Sequence, residues 1–232
     1  MPNDQNPLVS VIITAFNREK YIVEAIDSVL TQDYSPIEVI VVDDGSTDRT
    51  AEIVKSYGDQ LVYVHQENQG VATARNNGIN LATGEFLAFN DSDDVWADGK
   101  LSLQMSVLFE NPNLHAVYGH AEQFFSPDVD EAFIAKTKIP KKVMPSQISC
   151  ALVIRRTPFD KVGFFAASLL AGSDIDWYAR FQEAELENIT LPDIVYYRRV
   201  HPQNSTSTIK DSNKMRLRAL KVALDRRRSA SV

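Results

Sequence analysis

The sequence has a single cysteine, no long apolar run and no recognisable leader. Cys150 is the only cysteine among the 232 residues, which excludes an internal disulfide framework and suits a reducing compartment. No segment approaches the ~18 consecutive apolar residues of a membrane-spanning helix. The first six residues are polar and carry no basic n-region, so no signal peptide is predicted. These absences favour a cytoplasmic protein.

The glycine-rich motifs of nucleotide-binding proteins are also missing. No G-x-G-x-x-G follows the first apolar run, and no G-x-x-x-x-G-K-[ST] occurs, so neither a dinucleotide site nor a P-loop is indicated. The segment Asp91–Asp98 is not an EF-hand, because Val95 and Trp96 occupy positions that need a ligand and a glycine. A chain of this kind can still bind a diphosphate through a divalent cation held by carboxylates.

Two acidic clusters are present, and each follows a predicted buried strand. Residues 43–48 read Asp-Asp-Gly-Ser-Thr-Asp, and residues 90–94 read Asn-Asp-Ser-Asp-Asp. Carboxylates gathered in this way are costly to keep together without a cation or a hydrogen-bonding ligand. In open α/β sheets, ligands bind beyond the carboxyl ends of the strands. The clusters therefore predict a site for a metal ion and a ligand attached to it.

The hydrophobic pattern predicts an α/β fold. Short apolar runs indicate strands at Leu8–Thr14, Ile37–Val42, Leu61–His65 and Glu85–Phe89. Segments with helical periodicity lie between and after them, the first with apolar residues at positions 22, 25, 26, 29 and 30, after Asn17 as a candidate N-cap. Alternation of this kind indicates right-handed crossovers and a mostly parallel sheet flanked by helices.

The second half of the chain has a less regular pattern. Residues 116–125 predict one or two strands, and residues 126–147 a long surface segment. A helix is predicted at 174–184, a strand at 189–197 and a basic helix at 211–228. We expect one domain over residues 1–232, with a nucleotide-binding half over about residues 1–115 and a smaller acceptor half over about residues 116–232.

Charge is distributed unevenly along the chain. The net charge is −7, but residues 198–232 contain ten Lys/Arg against two Asp/Glu, so the first 197 residues carry −15. The basic tail is either a solvated helix face or a contact with a phosphate-bearing ligand, a lipid headgroup or an acidic acceptor. The acidic body would repel nucleic acid, so no nucleic-acid partner is predicted. Peripheral membrane contact through the basic C-terminal helix, at the inner face of the membrane, is one expectation.

Several ordered motifs resemble the family 2 glycosyltransferases of the GT-A fold. They are residues 10–17 (SVIITAFN), 41–48 (VVDDGSTD), 70–76 (GVATARN), 91–94 (DSDD), 172–180 (GSDIDWYAR) and 198–204 (RRVHPQN). The resemblance extends over roughly residues 8–206. It implies a GT-A-like, Rossmann-related fold and an inverting, metal-dependent transfer of a sugar from a nucleotide-diphosphate sugar, with a UDP-sugar favoured, to a hydroxyl acceptor in glycan, cell-surface polysaccharide or glycoconjugate synthesis. The basic tail adds the expectation of a lipid-linked or anionic acceptor.

The resemblance assigns a nucleotide-binding role to eight residues. The base would stack on Phe16, Asp44 would accept the imide N–H of a uracil-type base, and Asp91 would reach the ribose hydroxyls. For Asp44 the alternative is a turn carboxylate beside Gly45. The full set comprises Thr14, Ala15, Phe16, Asn17, Asp44, Arg75, Asp91 and Ser92.

The resemblance also assigns the metal and the base. Asp93 would bind Mn²⁺ or Mg²⁺ across the two phosphates, and His201 would approach the metal or the diphosphate, with the surrounding arginines suited to a phosphate lid. Asp174 would be the general base, although a helix-capping role is the alternative. Ser173 stands where the family often has glutamate, which leaves Asp176 as the other candidate base.

Features that are missing from the sequence narrow the range of activities that it predicts. The Gln-x-x-Arg-Trp element and membrane helices of processive synthases are missing, which favours single-sugar transfer. A sugar-phosphate nucleotidyltransferase is the less favoured alternative, because its glycine- and arginine-rich first loop does not match residues 14–20. A non-catalytic nucleotide-sugar binding module is the other alternative, and it would leave the donor intact.

Overall fold

One mixed sheet of nine strands organises the part of the chain that the computed structural model describes, namely residues 6–137, 139, 142–169, 171–204 and 212–230. The strands are β1 (Val9–Ala15), β2 (Ile37–Asp43), β3 (Val62–His65), β4 (Phe86–Asp91), β5 (Val95–Trp96), β6 (Ala116–Phe125), β7 (Val143–Ser146), β8 (Val153–Arg155) and β9 (Asn188–Val200). The helices are α1 (Ile22–Leu30), α2 (Thr50–Lys55), α3 (Val71–Leu81), α4 (Lys100–Glu110), α5 (Glu131–Lys136), α6 (Thr157–Val162), α7 (Ser173–Glu183) and α8 (Ser212–Ala230).

The strand order confirms the predicted α/β class. Neighbouring strands run β3-β2-β1-β4-β8-β6-β9-β5, and β7 pairs with β6. The first four of these are parallel, as the alternation of strands and helices predicts. β8 is antiparallel to both β4 and β6, whereas β6 and β9 are parallel. The sheet is therefore continuous from the first half of the chain into the second.

The core follows from the local hydrophobic patterns. Every residue of β1 is buried, as expected for a strand covered on both faces. In α1 the buried residues are Ile22, Ala25, Ile26 and Val29, so the apolar stripe read from the sequence faces the sheet. The expectation for Asn17 was wrong. It lies five residues before α1 with a left-handed φ of 52° and does not cap that helix.

The segment at 126–147 contains more regular structure than its sequence predicts. Asp130 caps α5 by accepting a hydrogen bond from the Phe133 N–H, and β7 adds to the edge of β6. α8 matches the predicted basic helix, although Asp211, the first residue predicted for it, lies outside the described residues. Side chains of α8 are described for residues 214–228. Within the described part of the chain, no helix is both long and apolar enough to span a bilayer.

Candidate active site

The predicted site residues of the first half lie at one edge of the sheet. In the parallel register, Thr14 of β1 lies opposite Asp91 of β4, and Ala15 lies opposite Asp43 of β2. Because parallel strands end on the same side, the two acidic clusters meet where the sequence predicts a ligand. This edge is referred to below as the carboxyl edge.

The end of β1 forms a turn that is bonded to the first acidic cluster. Thr14 and Ala15 are buried, whereas the Phe16 side chain is 42% exposed, so its ring is available for stacking. Asn17 accepts a hydrogen bond from the Thr47 N–H at 2.8 Å, and its own N–H donates to Ser46 Oγ at 2.9 Å. The polar side chain that the sequence offered as a helix cap therefore joins two loops of the carboxyl edge.

Asp44 holds the segment before α3 against the carboxyl edge. Its two carboxylate oxygens accept from Gln66 Nε2 at 2.7 Å, from the Gln69 N–H at 2.8 Å and from the Gly70 N–H at 2.8 Å. This anchoring role was not predicted. A carboxylate has about four acceptor positions, so one remains for a ligand. The contact between Asp44 and a nucleotide base stays a prediction.

Gly45 allows the segment before α3 to pack closely against the turn after β2. Its φ is 82°, and a Cβ at this position would lie 2.9 Å from the Asn68 backbone nitrogen. A side chain there would clash with the backbone and strain the turn. The neighbouring Asp43 is fully buried and accepts from the Tyr63 hydroxyl at 2.8 Å and from the Ser46 N–H at 2.9 Å. Asp43 therefore shapes the turn.

Arg75 joins the donor side of the site to the candidate base. Its Nη2 donates to Asp91 at 2.7 Å, and its Nη1 donates to Asp174 at 3.0 Å. The arginine side chain is 5% exposed, and its guanidinium carbon lies 5.6 Å from the centroid of the Phe165 ring. The sequence predicts Arg75 near the nucleoside or its phosphates. The structure shows that it contacts two carboxylates that are 83 residues apart, and its contact with a nucleotide stays a prediction.

Asp174 is ionised and partly open to solvent. Burial acts to raise the pKa of its carboxyl group, but the charge of Arg75 and the hydrogen bond from the Ser149 N–H outweigh it and hold that pKa below the usual range. Its side chain remains 23% exposed. Asp174 therefore combines a fixed orientation, negative charge and access for another molecule.

Asp176 lies in a different environment. One oxygen accepts from Arg180 Nε at 2.9 Å and the other from Arg226 Nη1 at 2.9 Å, and the side chain is 9% exposed. Arg226 belongs to α8, so the carboxylate of Asp176 joins α7 to that helix. This position suits a structural ion pair better than proton transfer.

Asp93 and His201, the two residues that the resemblance assigns to the metal, are in direct contact with each other. His201 Nε2 lies 3.0 Å from Asp93 Oδ2, and Arg18 Nε donates to the same oxygen at 3.2 Å. Burial acts to raise the pKa of Asp93, but the bond from His201 and the charge of Arg18 lower it. Because an ionised carboxylate only accepts, His201 Nε2 carries the hydrogen. The buried Nδ1 of His201 has no hydrogen-bond partner among the described residues.

The carboxylates of the second acidic cluster have chemistry suited to a hard divalent cation. Ligand atoms of Asp91, Asp94 and Cys150 lie within 4.8 Å of one another. Burial, with the charges of Asp93 and Asp91, raises the pKa of Asp94 well above its usual value, as expected for carboxylates held close together. Burial also raises the pKa of the Cys150 thiol. Carboxylate oxygens suit Mg²⁺ and Mn²⁺, whereas a neutral thiol does not.

Arg199 does not belong to a phosphate lid. It is 2% exposed, its Nε donates to the Asp93 carbonyl at 3.0 Å, and its Nη2 donates to Glu24 at 2.7 Å. The Arg199 N–H also donates to Asp94 Oδ1 at 2.9 Å, so Asp94 is bonded to the end of β9. The end of β9 therefore supports the second acidic cluster from behind.

Sequence reasoning missed Arg18 and Arg216, which lie near the site together with Arg198. Arg18 contacts Asp93 and also donates to the Gln203 carbonyl at 3.2 Å, joining the end of β1 to the loop after β9. Arg198 donates to Gln123 Oε1 at 2.7 Å. Burial and the charge of Arg198 lower the pKa of Arg216, and Asp174 opposes that shift. The position of Arg18 next to the motif residue Asn17 could have identified it from the sequence. Nothing in the sequence identifies Arg216, because α8 reaches the site only through tertiary packing.

Solved structures share this architecture. The crystal structure of S. aureus TarS in complex with UDP-GlcNAc matches with a TM-score of 0.73 and 22% identity, covering 93% of this chain and 65% of that one. The mannosyltransferase PcManGT from Pyrobaculum calidifontis, in complex with GDP-Man and Mn²⁺, matches with a TM-score of 0.65 and 24% identity, covering 88% and 60%. These likenesses confirm the predicted GT-A-like fold. The chain spans less than two thirds of either structure.

Sequence comparison gives the family. An uncharacterized glycosyltransferase of Rickettsia typhi is 33% identical over 220 residues, covering 89% of this chain and 68% of that protein. The enzyme UDP-Glc:alpha-D-GlcNAc-diphosphoundecaprenol beta-1,3-glucosyltransferase WfgD of Escherichia coli is 36% identical over 151 residues, covering 63% and 59%. Residues 10–163 match the family described as Glycosyl transferase family 2. With that match over more than half its length, the chain belongs to glycosyl transferase family 2.

Proposed function

We propose that this chain moves a single sugar from a UDP-sugar to a hydroxyl acceptor, with inversion at the anomeric carbon. The observation that carries the proposal is Asp174, an ionised and partly exposed carboxylate that Arg75 fixes beside Asp91. Asp174 takes the acceptor's hydroxyl proton while the oxygen bonds to the anomeric carbon and the bond to the diphosphate breaks. One base and one displacement invert the configuration.

The nucleotide half supplies the donor site in this proposal. Phe16, with its exposed ring, offers a stacking surface, and Asp44 has one acceptor position left for a base N–H. The UDP-GlcNAc bound in the TarS structure supports a uridine donor. The division into a nucleotide-binding half, about residues 1–115, and an acceptor half, about residues 116–232, is part of the proposal.

The second acidic cluster would hold Mn²⁺ or Mg²⁺. Asp91, Asp93 and Asp94 would supply oxygen ligands; ligand atoms of Asp91 and Asp94 lie within 4.8 Å of each other, and the Mn²⁺ bound in PcManGT supports this use. A cation there would offset the negative charge of the diphosphate leaving group. His201, which the resemblance implies as a ligand, is proposed to position Asp93, because its Nε2 hydrogen already bonds to that carboxylate.

The acceptor is proposed to carry negative charge close to its hydroxyl group. Arg198 and Arg216 lie on the acceptor side, and a Cβ at Gly172, two residues before Asp174, would lie 3.3 Å from the Arg216 Cα. Two neighbouring guanidinium groups repel each other unless an anion lies between them. The E. coli relative is named for a diphosphoundecaprenol-linked acceptor, which supports a lipid-linked diphosphate here.

Calorimetry with UDP tests the donor site and the metal together. We expect UDP to bind in the presence of Mn²⁺ and to lose affinity when a chelator is added or when Asp93→Ala is introduced. Asp59→Ala is the matched control, because Asp59 is exposed just before β3, at the opposite edge of the sheet. Equal UDP affinity with and without chelator would contradict metal-linked binding. A donor that stays intact with every acceptor would favour a binding module instead.

A further inference from the structure

α8 has an inner face that packs against α7. Ala219 and Ala223 are 2% and 3% exposed, and Arg226 bonds to Asp176 and Glu183 at 2.9 Å and 3.2 Å. Gly172, with a φ of 90°, allows the approach, since a Cβ there would lie 3.1 Å from the Ala219 Cβ. Small side chains and ion pairs thus fix the orientation of α8 and decide which of its residues face outward.

A solvent-facing side of α8, next to that inner face, carries a row of exposed leucines. Leu217, Leu220 and Leu224 are 66%, 45% and 45% exposed. Their spacing of i, i+3 and i+7 places them within about 60° of one another around a helix of 3.6 residues per turn. Val222 is also exposed, at 49%, but lies on another side of the helix, more than about 140° from Leu217. The three leucines form a narrow apolar ridge, called here the leucine ridge.

Basic residues flank the leucine ridge. Arg218, Lys221 and Arg228 are exposed, and α8 as a whole contains seven Lys/Arg and one Asp. A helix with leucines and Lys/Arg on one solvent-facing side is suited to a membrane interface. Its apolar side chains enter the headgroup boundary while the long basic side chains reach the phosphates. Two copies of this face would bring like charges together, which disfavours self-association through the ridge.

We propose that the leucine ridge of α8 docks the protein on the surface of an anionic lipid bilayer. Docking would bring Asp174 to a lipid-linked acceptor, and in this respect the inference rests on the proposed function. Because α8 packs on Gly172, two residues before Asp174, the docked helix adjoins the segment that carries the proposed base. The acidic body, with a net charge of −15 before residue 198, would then point away from the anionic surface.

Vesicle co-sedimentation of the full chain tests the docking. We expect binding to vesicles of equal parts phosphatidylcholine and phosphatidylglycerol, and weak binding to phosphatidylcholine alone. The combined Leu217→Ser, Leu220→Ser and Leu224→Ser substitutions should weaken the partition coefficient at least about 100-fold, because each removes an apolar side chain from the interface. Val222→Ser, equally exposed on another side, should change it less than about twofold. Unchanged binding of the triple variant would overturn the proposal.

Two further measurements separate docking on lipid from a damaged fold and from self-association. Hydrolysis of UDP-sugars in solution, without lipid, should be the same in the triple variant and the unmodified chain, because the ridge does not touch the site. Loss of that hydrolysis only in the triple variant would indicate damage to the fold and overturn the assignment of the ridge to lipid. Gel filtration should show equal size for both, and a dimer that the leucine substitutions disrupt would show that a second copy covers the ridge.

If neither protein hydrolyses donor but the ridge still governs vesicle binding, the proposed function fails and the docking stands.

Discussion

Replacing Arg75 by methionine removes a cation that contacts both Asp91 and Asp174. Methionine keeps length and apolar contact with Phe165 but leaves two carboxylates without their shared partner. Removing one partner of a buried ion pair costs about 3–5 kcal/mol. Both carboxylates keep some solvent access, with side chains 34% and 23% exposed, so water can compensate in part. We therefore expect Arg75→Met to lower the free energy of unfolding by about 2–3 kcal/mol.

Urea denaturation measures that loss, and the pH dependence of transfer measures its effect on the base. The charge of Arg75 lowers the pKa of Asp174, so without it the base protonates at a higher pH. The acidic limb of kcat/KM should shift to higher pH in the variant. Arg75→Lys, which keeps the charge but reaches one carboxylate at a time, should recover part of both effects. A stability loss below about 0.5 kcal/mol, or an unmoved acidic limb, would refute the bridging role.

Three further predictions concern separate parts of the molecule. Asp44→Asn places an amide where the carboxylate accepts backbone N–H groups, so calorimetry should show UDP binding weakened by about 1.5–3 kcal/mol; unchanged affinity would place the base contact elsewhere. Burial lowers the pKa of Lys100 to about 7. Between pH 7 and about 10, Lys100 therefore holds a proton in the unfolded chain but not in the folded one, so the free energy of unfolding rises with pH, by up to about 1.4 kcal/mol per pH unit. Lys100→Met should flatten that rise in thermal unfolding, and an identical slope in both proteins would exclude the assignment. Arg216→Gln should raise the KM for an anionic acceptor about tenfold with little change in UDP affinity, because it removes a charge-assisted bond on the acceptor side only; an unaltered KM would remove Arg216 from acceptor binding.

The features that sequence predicts well are those fixed by local pattern. The apolar stripe of α1 and the fully buried β1 each follow from the order of a few neighbouring residues. The meeting of the two acidic clusters follows as well, because strands that alternate with helices run parallel and end on one side. The placement of Thr14 opposite Asp91 is the direct result.

The features that sequence does not predict depend on contacts between distant segments. Arg199 contacts Asp93 and Asp94 across more than 100 residues, and no periodicity in β9 distinguishes it from Arg198. The same holds for Asp176, whose bond to Arg226 spans 50 residues. From the sequence, Asp174 is the favoured base, and Asp176 stays open as the other candidate. Their partners in the folded chain distinguish them, since both oxygens of Asp176 are held by arginines.

The long segment at 126–147 shows another limit. It has no clear hydrophobic period, yet α5 forms there because Asp130 caps it, and β7 forms because β6 offers a free edge. Short elements of this kind gain most of their stability from tertiary contacts rather than from their own sequence. The structure of the acceptor half is therefore less predictable than that of the nucleotide half.

The central claim, that Asp174 is the general base of an inverting transfer, is tested most directly by comparing two isosteric variants in one transfer assay. Asp174→Asn should keep UDP affinity and lower transfer by about 10²–10⁴-fold, because the amide cannot accept the proton. Asp176→Asn should lower stability through its lost ion pairs with Arg180 and Arg226 but reduce transfer far less. A dead Asp176→Asn beside an active Asp174→Asn would contradict the assignment.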